Sequence, residues 1–135
     1  MRVVLDTNIL VSPLLVSSGT PAAIKVWLDG RFTLLTCAAH LDELRRTLEK
    51  PRVTERLKPY KAGRLVNQIR KLAKDTDPLP RVERSSDPAD DFLLAMCESG
   101  NADYLVTGDK SGLLDLKRHH ATRIVSACEF AALFA

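Results

Sequence analysis

Cysteine is scarce and odd in number: only Cys37, Cys97 and Cys128, far apart along the chain. No disulfide framework can be built on that, and a reducing, cytoplasmic setting is the expectation. Cys37 and His40 have a ligand-like spacing, but no second Cys/His pair completes a zinc site, so a buried thiol is the reading for Cys37. Aromatic residues make up only 5%, too few to suggest a stacking platform for bases. No apolar run is long enough to span a bilayer and no leader peptide is apparent, so no membrane partner is expected. Repeats and low-complexity tracts are lacking. No glycine-rich Walker motif follows the first strand, which argues against a nucleotide-binding P-loop protein.

What remains is an ordinary globular composition. The chain has 135 residues, 45% hydrophobic and 27% charged, enough for one domain over residues 1–135 with a sizeable core. Its net charge of +3 and pI of about 8.9 are compatible with a polyanionic partner without requiring one.

Two stretches organise the rest. Val3, Val4 and Leu5 form a short apolar, β-branched run that reads as a buried strand, and Asp6, Thr7 and Asn8 follow at once. Tyr104, Leu105 and Val106 form the other, leading into Thr107, Gly108 and Asp109. A strand that hands over to a carboxylate at its end is how an open α/β sheet presents functional groups.

Between them the pattern alternates. Ile9–Val16 reads as a short helix kinked at Pro13, and Thr20-Pro21 starts a second helix that stops at Gly30. Phe32–Thr36 is a strand. Ala38–Leu48 is a helix with Leu41, Leu44 and Leu48 on one stripe. Pro59 opens a helix over Tyr60–Lys74, and Leu79–Val82 is at best a short edge strand. Asp87 caps, and Pro88 begins, a helix ending at Gly100. Asp103–Thr107 and Thr122–Val125 are strands, Leu113–Leu116 is helical, and Ser126 with Glu129 forms a capping box for a last helix through Phe134. This predicts an α/β fold: a three-layer α/β/α sandwich around a mostly parallel sheet of four to five strands.

In such a sheet Asp6 and Asp109 leave strand ends on one edge. Asp90 and Asp91 lie in the first turn of the helix preceding the Asp109 strand, so one of them can point into the same cleft. Glu43 sits near the start of a helix that follows a strand and can reach that edge too. Carboxylates gathered there repel one another unless cations or protons hold them together. Oxygen ligands without His or Cys select Mg²⁺ or Mn²⁺ over zinc, and such ions serve phosphodiester hydrolysis.

Val4-Leu5-Asp6-Thr7-Asn8, then Leu41-x-Glu43-Leu44, then Asp87-Pro-x-Asp-Asp91-x-x-Leu94, then Ala102-Asp103-Tyr-x-Val106-Thr107-Gly108-Asp109 resemble the PIN domain, and more narrowly its VapC-like toxin branch. The resemblance covers nearly the whole chain, with the motifs in order. It implies a metal-dependent endoribonuclease acting on single-stranded or structured RNA, with Mg²⁺ or Mn²⁺ as cofactor. It implies metal and catalytic roles for Asp6, Glu43, Asp91 and Asp109, with Thr7, Asn8, Thr107 and Asp90 in support. Asp91 is favoured over Asp90 because Phe92, Leu93 and Leu94 follow it in the family register, and Asp115 is a weaker substitute for Asp109. Toxin relatives are held inactive by an antitoxin protein and often form homodimers.

Plainer readings stand beside these. Asp6 or Asp109 can be a helix cap, Glu43 a solvated helical position, and Asp91 a first-turn acid matched to the helix dipole. Asp103 fixes a turn before its strand. Trp27 and Phe32 read as core. The basic stretch Arg45–Arg84 is either a solvated face or a phosphate-binding one, and His119-His120 reads as a solvated polar turn. Two other functions compete: a non-catalytic RNA- or protein-binding module, and a phosphatase with Asp6 as nucleophile. The second lacks an acid two residues on, where Asn8 stands.

Overall fold

The structure is a computed structural model that describes residues 1–12, 22–108 and 111–134. The elements run β1 (Arg2–Leu5), α1 (Thr7–Val11), α2 (Ala22–Leu28), β2 (Thr33–Thr36), α3 (Ala38–Leu48), α4 (Pro51–Thr54), α5 (Pro59–Leu72), β3 (Lys74–Asp75), a 3₁₀ turn at Pro88–Asp90, α6 (Asp91–Gly100), β4 (Tyr104–Val106), α7 (Ser111–Leu114), β5 (Arg118–His119), β6 (Thr122–Val125) and α8 (Ala127–Ala132). The predicted helix starts at Thr20 and Pro21, the kink at Pro13 and the carboxylate of Asp109 lie outside the described residues.

The strands form one sheet in the order β3-β2-β1-β4-β6-β5. All neighbours pair parallel except β5, which returns antiparallel along β6. The sheet therefore has six strands among the described residues, not four to five. Leu79–Val82 is not one of them. The edge beyond β2 is instead taken by Lys74, the expected last residue of a helix, together with Asp75 just after it. Pro78 and Pro80 remove the amides that a strand at 79–82 would need. The added β5 is a hairpin arm only two residues long, below what alternation can reveal.

Both faces of the sheet are covered, and the strands show why. Val3 and Leu5 point into one apolar cluster with Leu34, Val106 and side chains of α1–α5 and α8. Val4, between them, points into the other with Leu35, Leu105, Leu93, Leu94 and Met96. Period-two alternation with apolar residues on both sides requires a layer of helices on each face. Trp27 and Phe32 belong to the first cluster, as expected for core.

Local signals set the boundaries. The side chain of Asp87 accepts the amide of Ala89 at 3.0 Å, capping the 3₁₀ turn that leads into α6. The Ser126–Glu129 capping box is complete. At the end of α6 it is Asn101, at φ 51°, that takes the left-handed cap, not Gly100. Gly100 serves close approach: a Cβ there would lie 2.7 Å from Leu35 Cδ1 and 2.8 Å from Thr76 Cγ2. Asp103 accepts the amide of Arg2 at 2.8 Å, tying the start of β1 to the turn before β4. No helix among the described residues is long and apolar enough to cross a membrane.

Candidate active site

From β1 the chain moves outward to β2 and β3, then returns to the other side of β1 as β4. The strand order reverses between β1 and β4, and their carboxyl ends border the crevice where such sheets bind ligands. Asp6 leaves β1 at that point, 1% exposed, its amide bonded to Val106 O at 2.9 Å. Thr107, fully buried at the end of β4, donates its hydroxyl to Asp6 Oδ2 at 2.9 Å. Burial of the acid and its hydroxyl donor at the seam goes beyond what a helix cap requires, and the Asp6 side chain makes no cap bond to α1.

Helix α1 starts immediately after Asp6, so Thr7 stands at its first position. Its hydroxyl donates to Glu43 Oε2 at 2.9 Å. Glu43 therefore belongs to the same rim rather than to a solvated face. Two threonines thus each hold one oxygen of one carboxylate.

Helix α6 runs antiparallel to the parallel strands and brings Asp90 and Asp91 to this edge. The two diverge. Asp91 Oδ1 accepts the amides of Ser85 at 2.7 Å and Arg84 at 3.1 Å, so this carboxylate ties down the incoming segment. Asp90 is the buried member, at 8% exposure. Asp109 lies outside the described residues. Asp115 is exposed just past α7.

One residue at this rim escaped the sequence reading. His40, 3% exposed, lies one turn before Glu43 on α3, and its ring sits 5.9 Å from that of Phe92 at the start of α6. Burial drives its pKa down to about 4, while the Asp6 charge pulls the other way and is outweighed. The imidazole is therefore neutral near pH 7, and its Nε2 has no protein hydrogen-bond partner. The i, i+3 spacing to Glu43 was the available clue; weighing His40 only as a partner for Cys37 hid it. Cys37 itself is buried and caps α3 by accepting the amide of His40 at 3.4 Å.

Beside the acids, a groove of about 890 Å³ is bordered by Asn8 and Gly108, walled by Val26, Phe130 and Phe134, and carries Arg52. The donors at the rim are carboxylate and hydroxyl oxygens plus one neutral imidazole. The oxygens suit a hard divalent cation, while the imidazole is the one borderline nitrogen beside them.

A family model described as PIN domain matches residues 2–111. The chain belongs to the PIN domain family. PIN domains are in general metal-dependent nucleases, and the matched span includes Asp6, Glu43, Asp90, Asp91 and Asp109. No curated protein and no solved structure matches the chain. The six-stranded, mostly parallel sheet between helical layers is consistent with this PIN assignment.

Proposed function

We propose that this PIN domain is a Mg²⁺- or Mn²⁺-dependent endoribonuclease acting on single-stranded or structured RNA, and that it is the toxin of a toxin–antitoxin pair working in the cytoplasm. The observation that carries the nuclease reading is the buried Asp6, hydrogen-bonded by Thr107 at the switch point of the sheet, with Glu43 held close by Thr7. Asp6, Glu43, Asp109 and one of the adjacent pair would hold the cation. Asp90 is the more deeply buried of the two, and we take it as the ligand. A bound ion supplies the Lewis acidity and positive charge that phosphodiester hydrolysis draws on at neutral pH.

The chain's own residues do the rest. Thr7 and Thr107 fix which carboxylate oxygens face the cleft. The RNA reading is supported by charge: residues 45–84 carry thirteen of the 20 Lys and Arg but only five of the 17 acids, and all thirteen cations are exposed. Such a face attracts phosphates without reading sequence. Arg52 carries it into the groove. The toxin reading adds an antitoxin protein and a homodimer as partners, and the apolar part of the groove is a surface that a protein segment would cover.

The test is cleavage of labelled single-stranded RNA with Mg²⁺ or Mn²⁺, with chelator, and with Asp6→Asn. Cleavage that needs the ion and falls at least a hundredfold in the variant, with circular dichroism unchanged, supports the proposal. Cleavage indifferent to both refutes it, and metal-independent RNA binding without product selects the non-catalytic module.

A further inference from the structure

The sequence reading placed His119 and His120 in a solvated turn. Half of that is wrong. The register of the β5–β6 hairpin pairs Arg118 with Arg123 and His119 with Thr122, leaving His120 and Ala121 as a two-residue turn. His120 is 69% exposed, but the His119 side chain is only 5% exposed. His120 takes φ 51°, a left-handed conformation unfavourable for a residue with a Cβ and one that hairpin turns normally give to Gly, Asn or Asp. There its ring stands edge-on to that of His119, with centroids 4.6 Å apart and planes at 88°.

The last turns of α6 face this pair. Glu98 Oε2 lies 2.6 Å from His119 Nε2 and 3.7 Å from His120 Nε2. These three atoms all lie within 4.8 Å of one another. Along α6, Glu98 is seven residues from Asp91, roughly 10 Å at 1.5 Å per residue. The cluster is therefore separate from the acidic rim at the other end of the helix.

We infer that Glu98, His119 and His120 form a second divalent-cation site, of the zinc class, which staples the β5–β6 hairpin to α6. Two imidazoles and a carboxylate are a familiar zinc donor set, and tetrahedral bonds of about 2.0–2.2 Å place donors roughly 3.4 Å apart. The present spacings bracket that value, so side-chain rotations of the exposed His120 and half-exposed Glu98 suffice to close it. The exposure of His120 leaves the ion an entry path.

The hydrogen bonds around His119 add a specific consequence. Arg84 Nη1 lies 2.7 Å from His119 Nδ1 and donates to Arg118 O at 2.9 Å. A guanidinium can only donate, so Nδ1 accepts and the ring proton sits on Nε2, directed at Glu98. For Nε2 to ligate an ion, that proton must pass to Nδ1. Nδ1–H would then face the Arg84 donor, so Arg84, an exposed residue, must turn away. Metal binding and the Arg84–His119 contact are mutually exclusive.

The experiment is a Zn²⁺ titration of the full chain carrying Asp6→Asn and Glu43→Gln, which weakens the acidic rim as a competing site. It is followed by ¹⁵N-edited NMR of the imidazoles and by competition with a chromogenic chelator. The chain has three histidines, so each ring is resolvable and binding at His40 is told apart from binding at His119 and His120. Expected is a switch of His119 from the Nε2–H to the Nδ1–H form at one equivalent, with the His120 ring shifting in step. His120→Asn keeps a residue that tolerates the left-handed turn but removes a ligand. It and Glu98→Gln should each weaken binding at least tenfold. Unmoved His119 and His120 resonances at saturating Zn²⁺, or an affinity unchanged by both variants, overturn the inference. Because this test has no nuclease readout, its outcome is independent of the proposed activity.

Discussion

Thr107 donates its hydroxyl proton to Asp6 across the seam between two strands whose residues lie 101 positions apart in sequence. The bond is buried and fixes the Asp6 carboxylate at the seam between β1 and β4. It makes Thr107 a positioning residue rather than a reacting one. Thr107→Val keeps the shape of the side chain and deletes the donor. A hydrogen bond to a charged group is worth about 1.5–3 kcal/mol, and loss of an outer-shell partner costs roughly 10–100-fold in metal affinity or activity. The expected result is a loss of that size in RNA cleavage, partly rescued by raising the Mn²⁺ concentration. A loss as deep as that of Asp6→Asn, with no rescue, would mean that Thr107 touches substrate.

The adjacent aspartates should separate cleanly. Asp91→Asn weakens two bonds to the Arg84 and Ser85 amides and should cost about 1–2 kcal/mol of stability while retaining measurable cleavage. Asp90→Asn should abolish cleavage. Chemical denaturation and a cleavage assay on both proteins decide it. The reverse pattern, a dead Asp91 variant beside an active Asp90 variant, returns the ligand role to Asp91.

His40 sets a pH limit on stability. Its folded pKa of about 4 lies below the ordinary 6.5, so the unfolded chain binds the extra proton first as pH falls. The stability due to the neutral buried ring is complete above about pH 6.5 and drains away toward pH 4. One group shifted by this much accounts for about 2 kcal/mol between pH 7 and pH 5. Urea unfolding at the two pH values should show that difference, and His40→Gln should remove it. An equal pH dependence in the variant would assign the loss to other groups.

Much of the architecture was readable in advance because its causes are local. The α3 boundaries follow from an apolar stripe ended by Pro51, and the α8 capping box from Ser126 and Glu129. The convergence of Asp6 and Glu43 was legible too, because parallel strands bring all their ends to one edge. What escaped depends on pairing between distant segments. Nothing in Lys74-Asp75 says strand; Leu35 and Thr36 make it one by lying alongside. Asp90 and Asp91 are chemically identical in sequence, and only the return of the 84–85 segment engages one of them. His119 looked solvated because its partners, Glu98 and Arg84, come from other elements.

The central position of β1 also bears on synthesis. Strand β4 cannot lie against β1, nor Thr107 reach Asp6, until the chain has been made 101 residues beyond Asp6. A nascent chain therefore holds Asp6 apart from its hydroxyl donor over that whole span of synthesis.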